Sequence, residues 1–555
     1  MSIDNANGGK EAQTSGKIKK EKTDSRFISV NRRSLMKIAG ATGVAGLLSS
    51  QSIAAADDGE YEFDLVEATA TEIYALITNG DVTAKEVVEI YLDRIEAYDD
   101  ELNSIITVNE EALDRADELD EELEESGPVG PLHGVPIILK DNIDTDDLPT
   151  TAGNTLFEDT IPPSDAYITA QLRDAGGIIL AKANMGEFAR GSLSSLGGQT
   201  YNPYDLDRSP GGSSAGTGAA VGASLGPIGV GTDTGGSVRI PAVFNSLVGL
   251  RPTTGLVSRD GIIPLGLSFD TAGPMTKTVT DTAIMLDIMA GYDSSDPATA
   301  KSVSKIPSEG YTSYLNLNGL EDTRLGVIRE YIEDDPEETG IDAGQPLEVT
   351  EHIESAIDDL EDAGATIVDP VTIPDLNELV NEGYVPVGYE FERNLNEYLD
   401  GLGDEAPVNT QQEILESGTI EGGIIERFEE SREIDVETVD ENVEYLSGLR
   451  KKQELAENLY VVMSENDLDA LIYPTASRTP AELDEDRPSG INTSLSPVST
   501  FPSISVPAGY TPETELPVGL EFLTKPFEEG LLIELAYAYE QMTMKRQHPS
   551  GFGPI

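Results

Sequence analysis

"GVGTDTGGSVRIP" (Gly229–Pro241) puts four glycines, a serine, an aspartate and an arginine into thirteen residues. Glycine loses more conformational freedom on folding than any other residue, so this concentration asks for a reason. A flexible turn is one reading. The other is a strand that ends in a shaped loop, whose successive N–H groups converge on one point beside the Ser237 hydroxyl and could hold an anion there. The loop by itself does not separate the two.

Two neighbouring stretches bear on the choice. "GVPIILK" (Gly134–Lys140) is a short apolar run that ends in a lysine, as a buried strand would. A lysine at such an end loses hydration, which favours the neutral amine, and a neutral amine can act as a base near pH 7. Lys140 alone would equally fit a snorkelling side chain or a partner of Asp141. "SPGGSSAG" (Ser209–Gly216) places Ser213 and Ser214 after two glycines and before a helix-like stretch, where a helix cap is the ordinary reading. Together the three stretches say more. A serine nucleophile needs a base, and the chain has three histidines, His133, His352 and His548, far apart in sequence. A lysine can take that role. A second serine can relay the proton, because a hydroxyl donates and accepts at once.

Outward from these motifs, strands and helices alternate. "TAKEVVEIYLDRIEAY" (Thr83–Tyr98) has capping-box spacing at Thr83 and Glu86 and an apolar stripe of Val87, Tyr91 and Ile95. Residues 57–126 read as helical and amphipathic. "ITAQLRDAGGIILAKAN" reads as helix, glycine stop and strand (Ile178–Lys182), and "SSAGTGAAVGASLG" as a small-residue helix suited to close packing on a sheet. Arg324–Glu330, an acidic helix near Glu351–Asp362 and "ATIVDP" form another strand–helix–strand unit. Residues 372–465 read as mostly helical, and "LDALIYP" and "SISVPAG" as late strands. The pattern predicts an α/β fold, a large central mixed β-sheet flanked by α-helices, in a single domain over residues 57–555.

The 555 residues carry 102 acidic and 36 basic side chains, a net charge of −66. The acids are spread along the chain among ordered apolar segments, which argues against an acidic tail or disorder. A surface of this kind repels nucleic acid and is expected to work in molar salt, where the Debye length falls to about 3 Å. Cysteine is absent, which excludes disulfides, thiolate metal sites and a cysteine nucleophile. No metal or cofactor is called for.

Residues 1–56 are different in kind, with nine basic and four acidic residues, leaving −71 on the rest. "NRRSLMK" (Asn31–Lys37), an apolar stretch of eleven residues (Ile38–Leu48) and Ala54–Ala56 have the order of a secretory signal. Eleven residues are too few to span a bilayer, which takes roughly 20. The Arg32–Arg33 pair marks the twin-arginine (Tat) route. The expectation is a Tat signal peptide over 1–56, the Tat translocon as a partner in export, and a mature protein that is extracellular or at the cell surface.

"GVPIILKDN", "RSPGGSSAGTGAA", the long block from Gly231 to Pro264, "DTAGPM", "FPSISVPAG" and "LPVGLEFLTKPFEEGLLIELAYAYE" resemble the amidase signature family in order and spacing over nearly all of residues 57–555. The likeness is to an exported, haloarchaeal-type hydrolase of that family, nearest to the peptide amidase and plant-type amidase subgroup. The resemblance implies a Ser-cisSer-Lys triad: Ser237 as nucleophile, Ser213 as the bridging serine in a cis peptide, and Lys140 as base. It implies an oxyanion hole from the N–H groups of Thr234, Gly235, Gly236 and Ser237. Ser214, Asp233 and Arg239 match supporting positions, with Asp233 and Arg239 expected to lock the loop by pairing. It also implies that residues 372–465, the variable helical region, set specificity, and it admits a homodimer. Asn154 in "TTAGN" stands where many relatives have serine, and Ala215 where glycine is frequent. Neither receives a role.

Three functions remain open at this point. The first is an amidase that hydrolyses linear carboxylic amides, including peptide or amino-acid amides, to acid and ammonia. The second is an amidotransferase A-subunit-like glutaminase for tRNA-dependent amidation, against which the export signal argues. The third is a catalytically silent binding protein on the same scaffold, against which the complete Lys140–Ser213–Ser237 set argues.

Overall fold

The capping box at Thr83 forms as its spacing requires. In the computed structural model the Thr83 hydroxyl accepts the Glu86 N–H, and the Glu86 carboxylate accepts the Thr83 N–H. Val87, Tyr91 and Ile95 of that helix are buried. The structure describes residues 28–31, 53–55, 60–63, 65–332, 347–421, 424–431, 434, 438–483 and 490–555. The arginine pair and the apolar stretch of the expected leader lie outside the described residues. Of that leader only Ile28–Asn31 and Ile53–Ala55 are described, each paired antiparallel with Glu60–Phe63.

Eleven strands make the central sheet: β1 Ile105–Val108, β2 Pro136–Lys140, β3 Ile178–Ala183, β4 Ile228–Asp233, β5 Val248–Arg251, β6 Thr271–Thr276, β7 Arg324–Ile328, β8 Thr366–Val371, β9 Ala470–Pro474, β10 Ser503–Tyr510 and β11 Pro517–Leu523. Their order across the sheet is β8-β7-β9-β11-β10-β5-β6-β4-β2-β3-β1. The pairs β2–β3, β2–β4, β7–β8 and β7–β9 are parallel, and the rest are antiparallel. The sheet is mixed, as the sequence predicts. Residues 57–126 do not stay helical throughout, however, because β1 adds an antiparallel edge to β3. Its four residues are too few to show a period of two.

Helices cover both faces, which is why β2, β3 and β4 read as continuous apolar runs rather than alternating ones. In chain order the first seven are α1 Ala70–Asn79, α2 Ala84–Leu102, α3 Ala112–Ser126, α4 Tyr167–Asp174, α5 Ala215–Gly222, α6 Arg239–Phe244 and α7 Val279–Met289. All eight residues of α5 are buried. A Cβ on Gly216 would lie 2.2 Å from the Ser104 carbonyl oxygen, and one on Gly229 of β4 would lie 2.6 Å from Thr217 Cγ2. The small residues are what let this helix lie directly on the strands that carry the site.

α8 Leu347–Asp362 connects the parallel strands β7 and β8. The predicted helical region contains α9 Leu376–Tyr384, α10 Pro386–Leu402, α11 Gln411–Ser417, α12 Ile424–Ser431 and α13 Val443–Glu465. Its apolar faces bring Phe391, Leu395, Phe428 and Leu459 into one cluster with Phe269 and with Leu471 of the sheet. Burying each such side chain contributes about 1.5–3 kcal/mol. The region is therefore packed onto the sheet. α14 Leu495–Ser499 and α15 Glu529–Thr543 complete the fold. Among the described residues no helix is long and apolar enough to cross a membrane.

Candidate active site

Lys140 ends β2 with its side chain fully buried. Its Nζ lies 2.8 Å from Ser213 Oγ, 2.8 Å from Thr232 Oγ1 and 3.4 Å from the Thr232 carbonyl oxygen. Burial of the amine, offset only in part by the charges of Asp233 and Asp270, pulls it down from 10.5 to about 7. A neutral amine has two N–H groups and one lone pair. Thr232 offers two acceptors, which leaves the lone pair for the Ser213 hydroxyl. The Asn142 amide also donates to Thr232 Oγ1, at 3.1 Å, so this hydroxyl is held from both sides.

Ser213 follows a cis peptide bond from Gly212. The chain is tightly confined here: a Cβ on Gly212 would lie 2.1 Å from the Gly191 carbonyl oxygen. The Ser213 carbonyl accepts the Gly186 N–H at 3.0 Å. Ser214 does not cap α5 with its hydroxyl. That hydroxyl instead bridges the main chain of Thr232, accepting its N–H at 3.3 Å and lying 3.4 Å from its carbonyl. The Ser214 N–H points to the Ser237 carbonyl at 3.4 Å, which places the two serine segments side by side.

The glycine loop is organised around Asp233. Its carboxylate accepts the N–H groups of Gly236 at 2.8 Å and Val238 at 3.2 Å. Arg239 reaches it with Nε at 3.1 Å and Nη2 at 3.2 Å, and Arg251 with Nη1 at 3.0 Å. Burial would raise this carboxyl, but the two guanidinium groups outweigh it and hold the group well below the usual range. Arg239 in turn reaches Glu521 Oε1 at 2.6 Å, which also accepts the Tyr473 hydroxyl at 2.8 Å. Every charge in this cluster is buried and paired. Removing one partner of such a pair is strongly destabilising, by about 3–5 kcal/mol.

Gly236 has φ +133°, and a Cβ there would fall 2.0 Å from Thr493 Oγ1. Thr493 donates to the Gly235 carbonyl at 2.7 Å. Thr234 donates its hydroxyl to Asp270 at 2.6 Å. These contacts revise one expectation. The Gly236 N–H is committed to Asp233, so it is not free to face an oxyanion. The N–H groups of Thr234, Gly235 and Ser237 have no acceptor among the described residues. Ser237 is half-buried, and its hydroxyl makes no hydrogen bond among the described residues. Lys140 and Ser213 are therefore in direct contact, whereas the Ser237 hydroxyl is uncommitted among the described residues and its segment is tied to theirs through the Ser214 N–H.

Tyr384, at the end of α9, stands over this loop: a Cβ on Gly235 would lie 2.5 Å from its hydroxyl. The tyrosine lines a cavity of about 910 Å³ together with Arg190 and Arg427. Neither arginine has a carboxylate within ion-pair distance among the described residues, and Arg427 Nη1 is buried without a partner. Three glutamates, Glu426, Glu430 and Glu444, line the same cavity.

Sequence reasoning passed over Thr232, Arg251, Asp270, Tyr384, Thr493 and Glu521. Two of them did carry a signal. Arg251 and Glu521 are charged residues inside otherwise apolar strands, "VGLR" and "PVGLEFL", and a buried charge requires a buried partner.

Residues 86–533 match the model of the protein family Amidase. The glutamyl-tRNA(Gln) amidotransferase A subunit from Methanosarcina barkeri is 35% identical over 458 residues, 80% of this chain and 90% of that protein. A probable amidase from Arabidopsis thaliana is 32% identical over 464 residues, 81% of this chain and 84% of that one. Among solved structures, the native peptide amidase from Stenotrophomonas maltophilia superposes with a TM-score of 0.78 at 35% identity, covering 87% of this chain and 98% of that chain.

Proposed function

The chain belongs to the Amidase family, and from that premise we propose that it hydrolyses linear carboxylic amides to acid and ammonia through Lys140, Ser213 and Ser237. The family supports a hydrolase acting on carbon–nitrogen bonds. The observation that carries the finer reading is the buried amine of Lys140, about 7 rather than 10.5, within 2.8 Å of Ser213 Oγ.

In the proposed reaction neutral Lys140 takes the Ser213 proton as Ser213 takes the Ser237 proton. Ser237 Oγ attacks the amide carbonyl. The oxyanion is met by the uncommitted N–H groups of the loop, each worth about 3–4 kcal/mol of barrier in comparable sites. The relay returns the proton to the leaving nitrogen, ammonia departs, and water hydrolyses the acyl-enzyme by the same route. Asp233 and Arg239 act by holding the loop. Likeness to the peptide amidase supports a peptide or amino-acid amide as substrate.

A second reading, an amidotransferase A-subunit-like glutaminase, is favoured by the 35% identity to the Methanosarcina barkeri protein and by Arg190 and Arg427, which suit a carboxylate-bearing amide. We further propose that residues 1–56 direct export by the twin-arginine route, that residues 57–555 form the mature extracellular protein, and that it works in molar salt, on the strength of the charge and motif patterns above.

The deciding experiment measures ammonia release at high salt from aliphatic, aromatic and peptide amides and from glutamine. Turnover of peptide or aliphatic amides that is lost in Ser237→Ala supports the amidase. Turnover of glutamine alone supports the second reading. No turnover by a folded wild type refutes both.

A further inference from the structure

Asn154 has no role in the sequence motifs, yet its side chain is fully buried and both ends of its amide are used. Oδ1 accepts the Leu156 N–H at 2.9 Å and the Thr419 hydroxyl at 3.2 Å, and Nδ2 donates to Glu187 Oε1 at 2.7 Å. Glu187 is buried as well. It accepts the Ser195 hydroxyl on Oε1 and the Glu421 N–H on Oε2, the latter at 2.6 Å. Thr419 and Glu421 belong to the helical region. Asn154 and Glu187 belong to the loops beside the serine relay, where the Gly186 N–H holds the Ser213 carbonyl.

A line of aromatic rings follows the same seam. Phe157 meets Phe188 at 5.9 Å, Phe188 meets Phe428 at 5.2 Å, and Phe428 meets Phe391 at 5.0 Å, all edge to face. Phe188 sits at φ +44° with its N–H on the Ala152 carbonyl at 3.0 Å, a backbone form that surrounding contacts must impose. Phe428 adjoins Arg427, which faces the cavity. The polar junction and the ring line thus seat one segment, and that segment carries a cavity wall.

We infer that Asn154 and Glu187 are positioning residues for substrate affinity: they fix α12, and with it Arg427, relative to the serine relay. The inference rests on the hydrolase reading above. Neither residue touches the reacting groups, so their loss changes how the substrate is seated, not the proton relay.

The test is a reversal of one hydrogen bond. In Asn154→Asp a carboxylate faces Glu187. In the double variant Asn154→Asp, Glu187→Gln the glutamine donates to the aspartate, restoring the bond with donor and acceptor exchanged. For an amide that also carries a carboxylate, the group Arg427 would bind, KM of the single variant is expected to rise about tenfold, the scale of one lost hydrogen bond to a charged group. Its kcat should stay within about twofold and the midpoint of its pH profile should not move. The double variant should recover KM to within about threefold of wild type. Thr419→Val is the gentler check, with KM up by about two- to fourfold. Unchanged KM in both Asn154→Asp and Thr419→Val, or a loss confined to kcat, overturns the inference. So does a double variant no better than the single.

If the wild type turns over no amide, the hydrolase reading fails, and hydrogen exchange then judges the junction separately. Faster exchange in Asn154→Asp confined to Gln411–Ser431 upholds the seating, and unchanged exchange there overturns it. If Asn154→Asp does not fold, Thr419→Val decides by the same two readouts.

Discussion

Replacing Lys140 by methionine should do two opposite things: remove activity and relieve a pH-dependent burden on the fold. The buried amine titrates at about 7 in the folded chain, against 10.5 for the ordinary value. Between those two pH values the unfolded amine holds a proton that the folded amine has released. Raising the pH therefore favours the folded state, and the stability of the wild type climbs through this window. The slope is about 1.4 kcal/mol per pH unit and the full span about 5 kcal/mol. Lys140→Met lacks the titrating group, and every other titration is common to the two proteins, so the difference between them carries the effect. Lost contacts to Ser213 and Thr232 shift that difference by a constant and leave its slope alone. The assay is urea unfolding at fixed molar salt at pH 7, 8 and 9, followed by tyrosine fluorescence, since the chain has 20 tyrosines and no tryptophan. Wild type should gain about 2 kcal/mol on the variant from pH 7 to pH 9, the slope being half its full value at pH 7 where the folded amine is half protonated. The same titration predicts that kcat/KM of the wild type falls about tenfold per pH unit below about 7 and is level above it. A stability difference that stays constant over this range would refute the neutral amine, and with it the assignment of Lys140 as base.

Thr232→Val removes the hydroxyl that takes an amine N–H and leaves the strand intact. We expect kcat to fall about 10- to 100-fold, the scale of a buried hydrogen bond, with KM unchanged in steady-state kinetics. Arg427→Gln should lower kcat/KM by about tenfold or more for amides that also carry a carboxylate and leave neutral amides unaffected, as competition between matched substrates would read directly. Dilution of salt below about 0.5–1 M should unfold and inactivate the protein as screening between its acidic groups weakens. Full activity in dilute buffer would contradict that reading of the charge.

The local devices were legible in the sequence because each depends on neighbours a few residues apart. The Thr83–Glu86 box, the helix–glycine–strand order before Ile178, the small-residue helix after Ser214 and the buried strand ending at Lys140 each follow from spacing and residue type. The serine and lysine motifs were legible for the same reason; that a hydroxyl needs a base and histidine is scarce made a joint role conceivable, and the family resemblance supplied the role proposed for each. β6 shows the limit. It lies between β4 and β5 although it contains Gly273 and Pro274, residues that weaken or interrupt an interior strand. A Cβ on Gly273 would lie 2.0 Å from the Leu250 carbonyl oxygen, so the glycine is required by the neighbouring strand, which no local pattern announces.

What the sequence by itself determined is the class of the fold, the identity of the groups that could react, and the charge of the surface, since composition, periodicity and residue chemistry are properties of the chain. What only the tertiary structure decided is where those groups point and what already occupies them. The Gly236 N–H belongs to Asp233. The Lys140 amine shares its hydrogen bonds between Thr232 and Ser213, 92 and 73 residues away in the chain. Asn154 is joined to Thr419, in the connection between α11 and α12, 265 residues later. Hydrogen bonds and desolvation act at a few ångströms in space and are blind to distance along the chain, so the amine's proton affinity and the seating of the cavity wall exist only once the sheet and its helices have brought those residues together.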